Sequence, residues 1–201
     1  MASSYHHGNL RSSLIDAAVE LARESGADGV VVREAARRTG VSHNAAYRHF
    51  ADREELIAEV AAVSLAALAD AMSRKINRAR AQGPQGRALA RLRAVGRAYV
   101  EFALKEPGLF TVAFAGPPID SAAATGPYEV LGSVLDECLA AGAMSPAKRP
   151  GAEISCWSAV HGFATLHLNG PLSATPKRAR DRLLETMLSG IEDALAAEPR
   201  D

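Results

Sequence analysis

The chain reads Val32-Arg33-Glu34-Ala35-Ala36-Arg37-Arg38-Thr39, then Gly40-Val41-Ser42, then His43-Asn44-Ala45-Ala46-Tyr47-Arg48-His49. These are two short helical runs hinged on a glycine. Ala36, four residues before Gly40, lets the two helices approach closely, and Gly40 takes the left-handed conformation that a tight turn needs. Val41 tucks under the pair, and Ser42 stands where a hydroxyl caps the amino end of the second run. The spacing predicts a helix-turn-helix. Its second helix carries Ser42, His43, Asn44, Tyr47, Arg48 and His49, a run of hydrogen-bonding side chains of the kind that reads base edges in a major groove. Between Arg33 and Arg53 five arginines face only Glu34 and Asp52, a local excess of three positive charges. The whole chain is neutral, with 23 basic and 23 acidic residues, so any basic surface comes from local arrangement.

Outward from this segment, helical spacing dominates. Upstream, Asn9 is placed to cap a first helix whose Leu10, Leu14, Ala17, Ala18, Leu21 and Ala22 recur at three and four, with Gly26 as its stop. Downstream, Asp52 is placed to cap a long helix reaching toward Gln82, free of glycine and proline. Further helices are expected at about Arg87 to Lys105, Pro107 to Phe114, Tyr128 to Ala141, Ala152 to Leu168 and Pro176 to Ala197. Pro117 to Gly126 and Ser145 to Gly151 read as loops. No run alternates as a strand would, so the fold class is all-α: a three-helix DNA-binding domain over 1–56, joined by a long helix to a helical domain over 57–201.

Composition excludes several classes. With 201 residues, 48% of them hydrophobic, the chain is long enough to bury a core without staples. Cys138 and Cys156 form no CxxC pair, which argues against a zinc ribbon or a disulfide framework and fits two buried thiols. Met1 to Ser13 lacks the basic and apolar regions of a signal peptide, so a cytoplasmic protein is expected. Ile154 to Pro176 carries no charged residue, but His161, His167, Asn169 and Gly170-Pro171 make it a buried helix of a soluble protein, not a membrane span. Hydrolase, phosphate-loop and dinucleotide fingerprints do not occur in the sequence, so no enzyme, cofactor or metal is expected.

At Gly40-Val41-Ser42, with Tyr47, His49 and Phe50 following, the sequence resembles the TetR/AcrR family of bacterial transcriptional regulators. Leu14 to Ala18, Arg33, Ala36 and Asp52 to Leu56 look like the same N-terminal domain, while Trp157-Ser158-Ala159-Val160-His161-Gly162 looks like the Trp-His-Gly type of C-terminal domain. The resemblance implies that Tyr47, His49 and Arg53 bind phosphates, that Ser42, His43, Asn44 and Arg48 face the major groove, and that Arg33 lies nearby on the supporting helix. Three positions depart from the family pattern. Asn44 replaces a common glycine, Ala46 a common leucine, and Val31 a common Ser or Thr cap. For Tyr47 and Phe50 core packing is the competing reading, and for Arg53 a plain helix-surface charge.

The second half reads as a sensor. Seven of the ten aromatic residues lie between Tyr99 and Phe163, and Tyr99, Phe102, Phe110, Phe114, Trp157 and His161 are the candidate ligand-binding residues. Trp157 and His161, four apart, share a helix face; a satisfied core pair is the alternative. Leu168, Leu184, Met187, Leu188 and Ile191 are expected at a homodimer interface made by the last two helices. The expected partners are a palindromic double-stranded DNA operator, a small apolar effector that releases it through a tilt of the long helix, and a second copy of the chain. The alternatives are a helical interaction module and an activator that needs no effector.

Overall fold

The computed structural model describes residues 10–115 and 126–196. Among them the regular elements are helical: α1 (Leu10–Gly29), α2 (Val32–Thr39), α3 (His43–Tyr47), α4 (Arg53–Arg78), α5 (Gly83–Lys105), α6 (Pro107–Ala113), α7 (Pro127–Ala140), α8 (Ala152–Leu168) and α9 (Lys177–Leu195). A 3-10 turn, Pro146–Lys148, sits in the expected loop between α7 and α8. The fold is all-α, as the periodicity predicts. The proposed cap Asn9 and residues 117–125 of the expected loop lie outside the described residues.

Some helices end differently from expectation. Gly26 has φ 63 and ψ −154, which breaks the helical path, yet α1 resumes for one more turn to Gly29. α4 stops at Arg78, short of Gln82. There Ala79 donates to Ile76 O in a tightened last turn, and Arg80 folds back to donate to the carbonyls of Asn77 and Ala79 at 2.7 and 2.8 Å. Those carbonyls would otherwise lack partners. α4 is the one helix among the described residues long and apolar enough to cross a membrane by length and composition. Its stripe Leu56, Val60, Ser64, Leu68, Met72 and Ile76 is buried in the protein, with the Ser64 hydroxyl donating to Val60 O at 2.7 Å.

The chain divides into two compact units, Met1–Leu65 with Glu106–Asp120, and Ala66–Lys105 with Ser121–Asp201. The division falls further along α4 than residue 56, and α6 joins the first unit although α5 and α7 on either side of it in sequence belong to the second. Close backbone approach accounts for this: a Cβ on Gly108 would stand 2.0 Å from Ala22 O, so only glycine lets α6 lie against α1. Arg23 adds a bond from its Nε to Glu106 Oε2 at 3.2 Å.

In the second unit α5 is surrounded. Its Leu92, Val95, Gly96, Tyr99, Val100 and Ala103 are buried, and α7, α8 and α9 pack on it. A Cβ on Gly96 would stand 2.5 Å from Leu188 Cδ2 on α9 and 3.4 Å from Val160 Cγ1 on α8. Arg93 bridges α5 to α9 through Glu192, Glu185 and Ser189, and Arg97 pairs with Glu185. α8 covers the residues expected of it and ends at Asn169.

Candidate nucleic-acid interface

The turn between α2 and α3 is held by its own backbone. Gly40 adopts φ 71, ψ 25, its N–H reaches Arg37 O, and Val41 N donates to Ala36 O at 3.0 Å. An added Cβ at Gly40 would meet nothing within 4 Å, so the requirement there is the left-handed φ and not space. The Thr39 hydroxyl donates back to Ala35 O, closing the end of α2. Ser42 Oγ accepts from Ala45 N at 3.2 Å and caps α3. Val31, at the start of α2, makes no side-chain cap.

Successive residues of an α-helix are about 100° apart around its axis. His43, Asn44, Tyr47 and Arg48 therefore fall within a single arc of α3, and all four are exposed, Tyr47 at 43%. Ala46 lies on the opposite side and is fully buried with Phe50 and Ala36. Tyr47 thus belongs to the outward face and Phe50 to the core. Arg11 places its guanidinium 5.1 Å from the centre of the Phe50 ring and bonds Glu59 at 2.7 Å, tying α1 to α4 across the end of the motif.

The charges of the motif are sorted by pairing. Arg37 and Arg38 both donate to Glu34, and Arg38 also makes a two-pronged contact with Glu24 at 2.9 and 2.6 Å. The hydrogen bond from Arg37, with Arg38 assisting, holds the Glu34 carboxyl down to about 2. Arg33 and Arg48, both exposed, carry the positive charge that the carboxylates leave uncompensated. Arg53 is placed differently. Its Nε donates to Val30 O at 3.0 Å and its Nη2 to Ala27 O at 2.6 Å, so two of its five donors serve backbone carbonyls, one in the last turn of α1 and one in the link to α2. Ser42 and His49 flank α3 outside this arc, Ser42 exposed as its cap and His49 half-buried beyond its end. Sequence spacing alone offers no sign of the Arg53 contacts, which span 23 and 26 residues.

Comparison with known proteins agrees with this geometry. Residues 14–60 match the family of bacterial regulatory proteins, tetR family, and residues 92–191 match the tetracyclin repressor-like C-terminal domain. The chain belongs to the TetR family. It is a DNA-binding transcriptional regulator and not an enzyme. Among solved structures, a protein of unknown function from Rhodococcus sp. RHA1 is similar at 29% identity, with 98% of this chain and 100% of that one covered and a TM-score of 0.79. A TetR family transcription regulator from Marinobacter aquaeolei VT8 is similar at 19% identity over 95% and 97% of the two chains (TM-score 0.64), and the TetR family transcriptional regulator PfmR from Thermus thermophilus at 17% over 93% and 99% (TM-score 0.60). The last two likenesses speak to the fold. No curated protein matches.

The second unit of this TetR-family chain holds a mostly apolar cavity, lined by Met72 of α4, Leu92, Gly96 and Tyr99 of α5, Leu131 of α7, Trp157 and Val160 of α8 and Leu188 of α9. Only about 20 Å³ of it is free, room for about one water molecule. Tyr99 and Trp157 meet edge to face at 5.6 Å, and the Tyr128 ring centre lies 5.7 Å from that of Trp157. Trp157 hydrogen-bonds the Tyr99 hydroxyl, which lies 2.8 Å from His161 Nδ1. An indole only donates, so the Tyr99 hydroxyl accepts from Trp157 while sharing a second hydrogen bond with His161. Burial pushes the Tyr99 phenol well above its ordinary value and lowers His161, keeping both neutral at pH 7.

Of the six candidate ligand residues, the structure brings three together. Tyr99 and Trp157 line the cavity, and His161 stands behind Tyr99. Phe102 is buried elsewhere on α5, while Phe110 and Phe114 pack edge to face at 5.2 Å in the first unit, carried there by the docking of α6 on α1. Arg93 and Glu192, which sequence reasoning missed, form an ion pair in the cavity wall. Cys156 lines it as well; burial pushes this thiol and that of Cys138 up to about 11, so both stay protonated. Gly96 in the middle of α5, between Leu92 and Tyr99, is a signal that could have pointed to this wall.

The expected dimer residues are also divided. Leu184 and Leu188 are buried within their own chain, at 5% and 3% exposure, because α9 turns them toward α5. Leu168, Met187 and Ile191 are half-buried, and Ile191 lines the cavity. The outward apolar residues of α8 and α9 are Ile154, Leu166 and Leu183, at 61%, 43% and 47% exposure.

Proposed function

We propose that the chain is a cytoplasmic, homodimeric repressor that holds a palindromic operator through α3 and leaves it when a small apolar effector enters the cavity around Trp157. The observation that carries the DNA reading is the single exposed face formed by His43, Asn44, Tyr47 and Arg48, opposite buried Ala46. Asn44 suits a bidentate pair with adenine and Arg48 one with guanine. Two-fold symmetry places the two α3 helices about one turn of DNA apart and makes the half-sites inverted repeats.

The cavity supports the choice of effector. The charged residues of its wall, Arg93 and Glu192, pair with each other, so an ionic ligand would be left without a partner. Its small free volume means that a ligand has to select a more open state, and only differential affinity for that state shifts the balance. Helix α4 carries Arg53 at its start and Met72 on the cavity wall, so it is the element by which an opened cavity would alter the DNA-binding end. For the dimer, Leu166 and Leu183 flank Gly162 and Gly190, where an added Cβ would meet nothing within 4 Å of its own chain. A second copy laying its α8 and α9 there would bury them as a four-helix bundle.

Trp157 is the only tryptophan, so its fluorescence reports ligand entry directly. The test is a screen of apolar and charged compounds for a Trp157 signal, with operator release measured for each hit on the wild type and on His161→Ala. Apolar hits that release DNA, with a weaker response in the variant, are expected; release mainly by highly charged compounds contradicts the proposal. Leu166→Asp with Leu183→Asp should give folded monomers that no longer hold the operator. A wild type that sediments as a monomer at micromolar concentration removes the dimer.

A further inference from the structure

We infer that Arg53 acts on DNA binding as a positioning residue: its guanidinium caps the carbonyl end of α1 and so fixes α2 and α3 against the start of α4. The inference rests on the operator-binding reading above. The last carbonyls of a helix have no partner inside it, and α1 has no basic residue in its last turn. The link from α1 to α2 is correspondingly spare: Gly26 interrupts the helical path, Val30 N donates to Ala27 O at 3.1 Å, and Val31 adds no side-chain cap.

Arg53 reinforces this link from another element. Its Nε and Nη2 reach Val30 O at 3.0 Å and Ala27 O at 2.6 Å, and a planar fork on two carbonyls fixes direction as well as distance. A lysine ammonium, a point charge on a flexible stem, does not hold two acceptors in one plane. The other end of the clamp is equally fixed. Arg53 is the first residue of α4, where Asp52 Oδ1 accepts from Glu55 N and Glu55 Oε2 accepts from Ala51 N, each at 2.8 Å. Val30 lies just before α2, so a shift there moves Arg33 and, through the Gly40 turn, the exposed face of α3. A phosphate contact would ask of Arg53 only its charge; the observed geometry asks for its shape.

The test uses Arg53→Lys and Arg53→Gln in the full chain, titrated on the selected operator and on a random-sequence duplex over a range of salt, at a temperature where circular dichroism shows each protein folded. Both variants should lose about tenfold in operator affinity while keeping wild-type affinity for the random duplex and the wild-type salt slope; a role in stability alone would leave the operator-to-random ratio unmoved. If Arg53→Lys binds the operator as the wild type does, or if Arg53→Gln weakens on both duplexes and loses about 0.9 of slope per subunit, the residue is a phosphate contact and the inference is overturned. Amide exchange needs no DNA: Arg53→Lys should lose about tenfold in protection over residues 27–33, with the centre of α1 unchanged. Unchanged protection there overturns the clamp even if no operator is found, and a wild type that selects no operator sinks the functional reading while this second measurement still decides the clamp.

Discussion

α3 and the cavity around Trp157 are built by opposite means. α3 is five residues long, buries only Ala46, and presents consecutive polar side chains outward from one short segment. The cavity draws Met72, Leu92, Leu131, Trp157 and Leu188 from five helices spread over more than a hundred residues, and almost closes on itself. A surface that reads DNA needs neighbouring side chains on one arc, which local spacing fixes. An interior that admits a ligand needs helices to converge, which packing fixes. Substitutions in the two regions should therefore differ in kind: readout changes with intact stability in one, stability changes with intact readout in the other.

The largest effect tests whether α6 belongs with the DNA-binding unit. In Gly108→Ala the new methyl group would stand 2.0 Å from Ala22 O, a backbone atom that cannot swing aside. The loss should be about 3 kcal/mol in thermal or urea unfolding, with operator binding weakened at temperatures where the wild type is unaffected. A variant as stable as the wild type would detach α6 from α1.

Next in size is Leu131→Ala in the cavity wall. Removing a buried leucine side chain should cost about 2–3 kcal/mol, at the lower end of the usual range because the space opens into an existing void. The base preferences of the operator should stay as they are. A changed DNA consensus in this variant would blur the division between the two regions.

How much of this was legible in the sequence follows the same division. The bounds of α2 and α8 were readable because Gly40 stops the first and Gly170-Pro171 breaks the second, both local events. The exposed arc of α3 was readable from the order of its residues. Unreadable were contacts made at long range: the hold of Arg53 on Ala27 and Val30, the docking of Gly108 on Ala22, and the Arg93–Glu192 pair in the cavity wall. The aromatic cluster misled for the same reason. Phe110 and Phe114 are close in sequence to Phe102, but α6 leaves α5 for α1. Leu184 and Leu188 share an apolar stripe with Leu183, and only the packing of α9 shows which of them face inward.

The smallest effect concerns Glu34. Glu34→Gln releases Arg37 from its carboxylate, so binding to random DNA should strengthen a few-fold, with the salt slope steeper by about one charge per subunit. Its pH dependence has a definite sign. The folded-state carboxyl is held down to about 2 from an ordinary 4.5, so its contribution to stability is present above 4.5 and fades as the pH falls toward 2. The stability difference between wild type and Glu34→Gln, followed by denaturation across this range, should be constant above 4.5 and vanish at the acid end. A difference that grows on acidification would contradict the pairing.

Selection and sequencing of random DNA bound by the wild type and by Asn44→Ala tests the outward-facing α3 most directly. The wild type should enrich an inverted repeat with half-sites about one helical turn apart, and Asn44→Ala should relax one base pair in each half-site, equivalent to about 1–3 kcal/mol of discrimination, at unchanged stability. An enriched site without two-fold symmetry, or the same consensus from both proteins, would contradict the account.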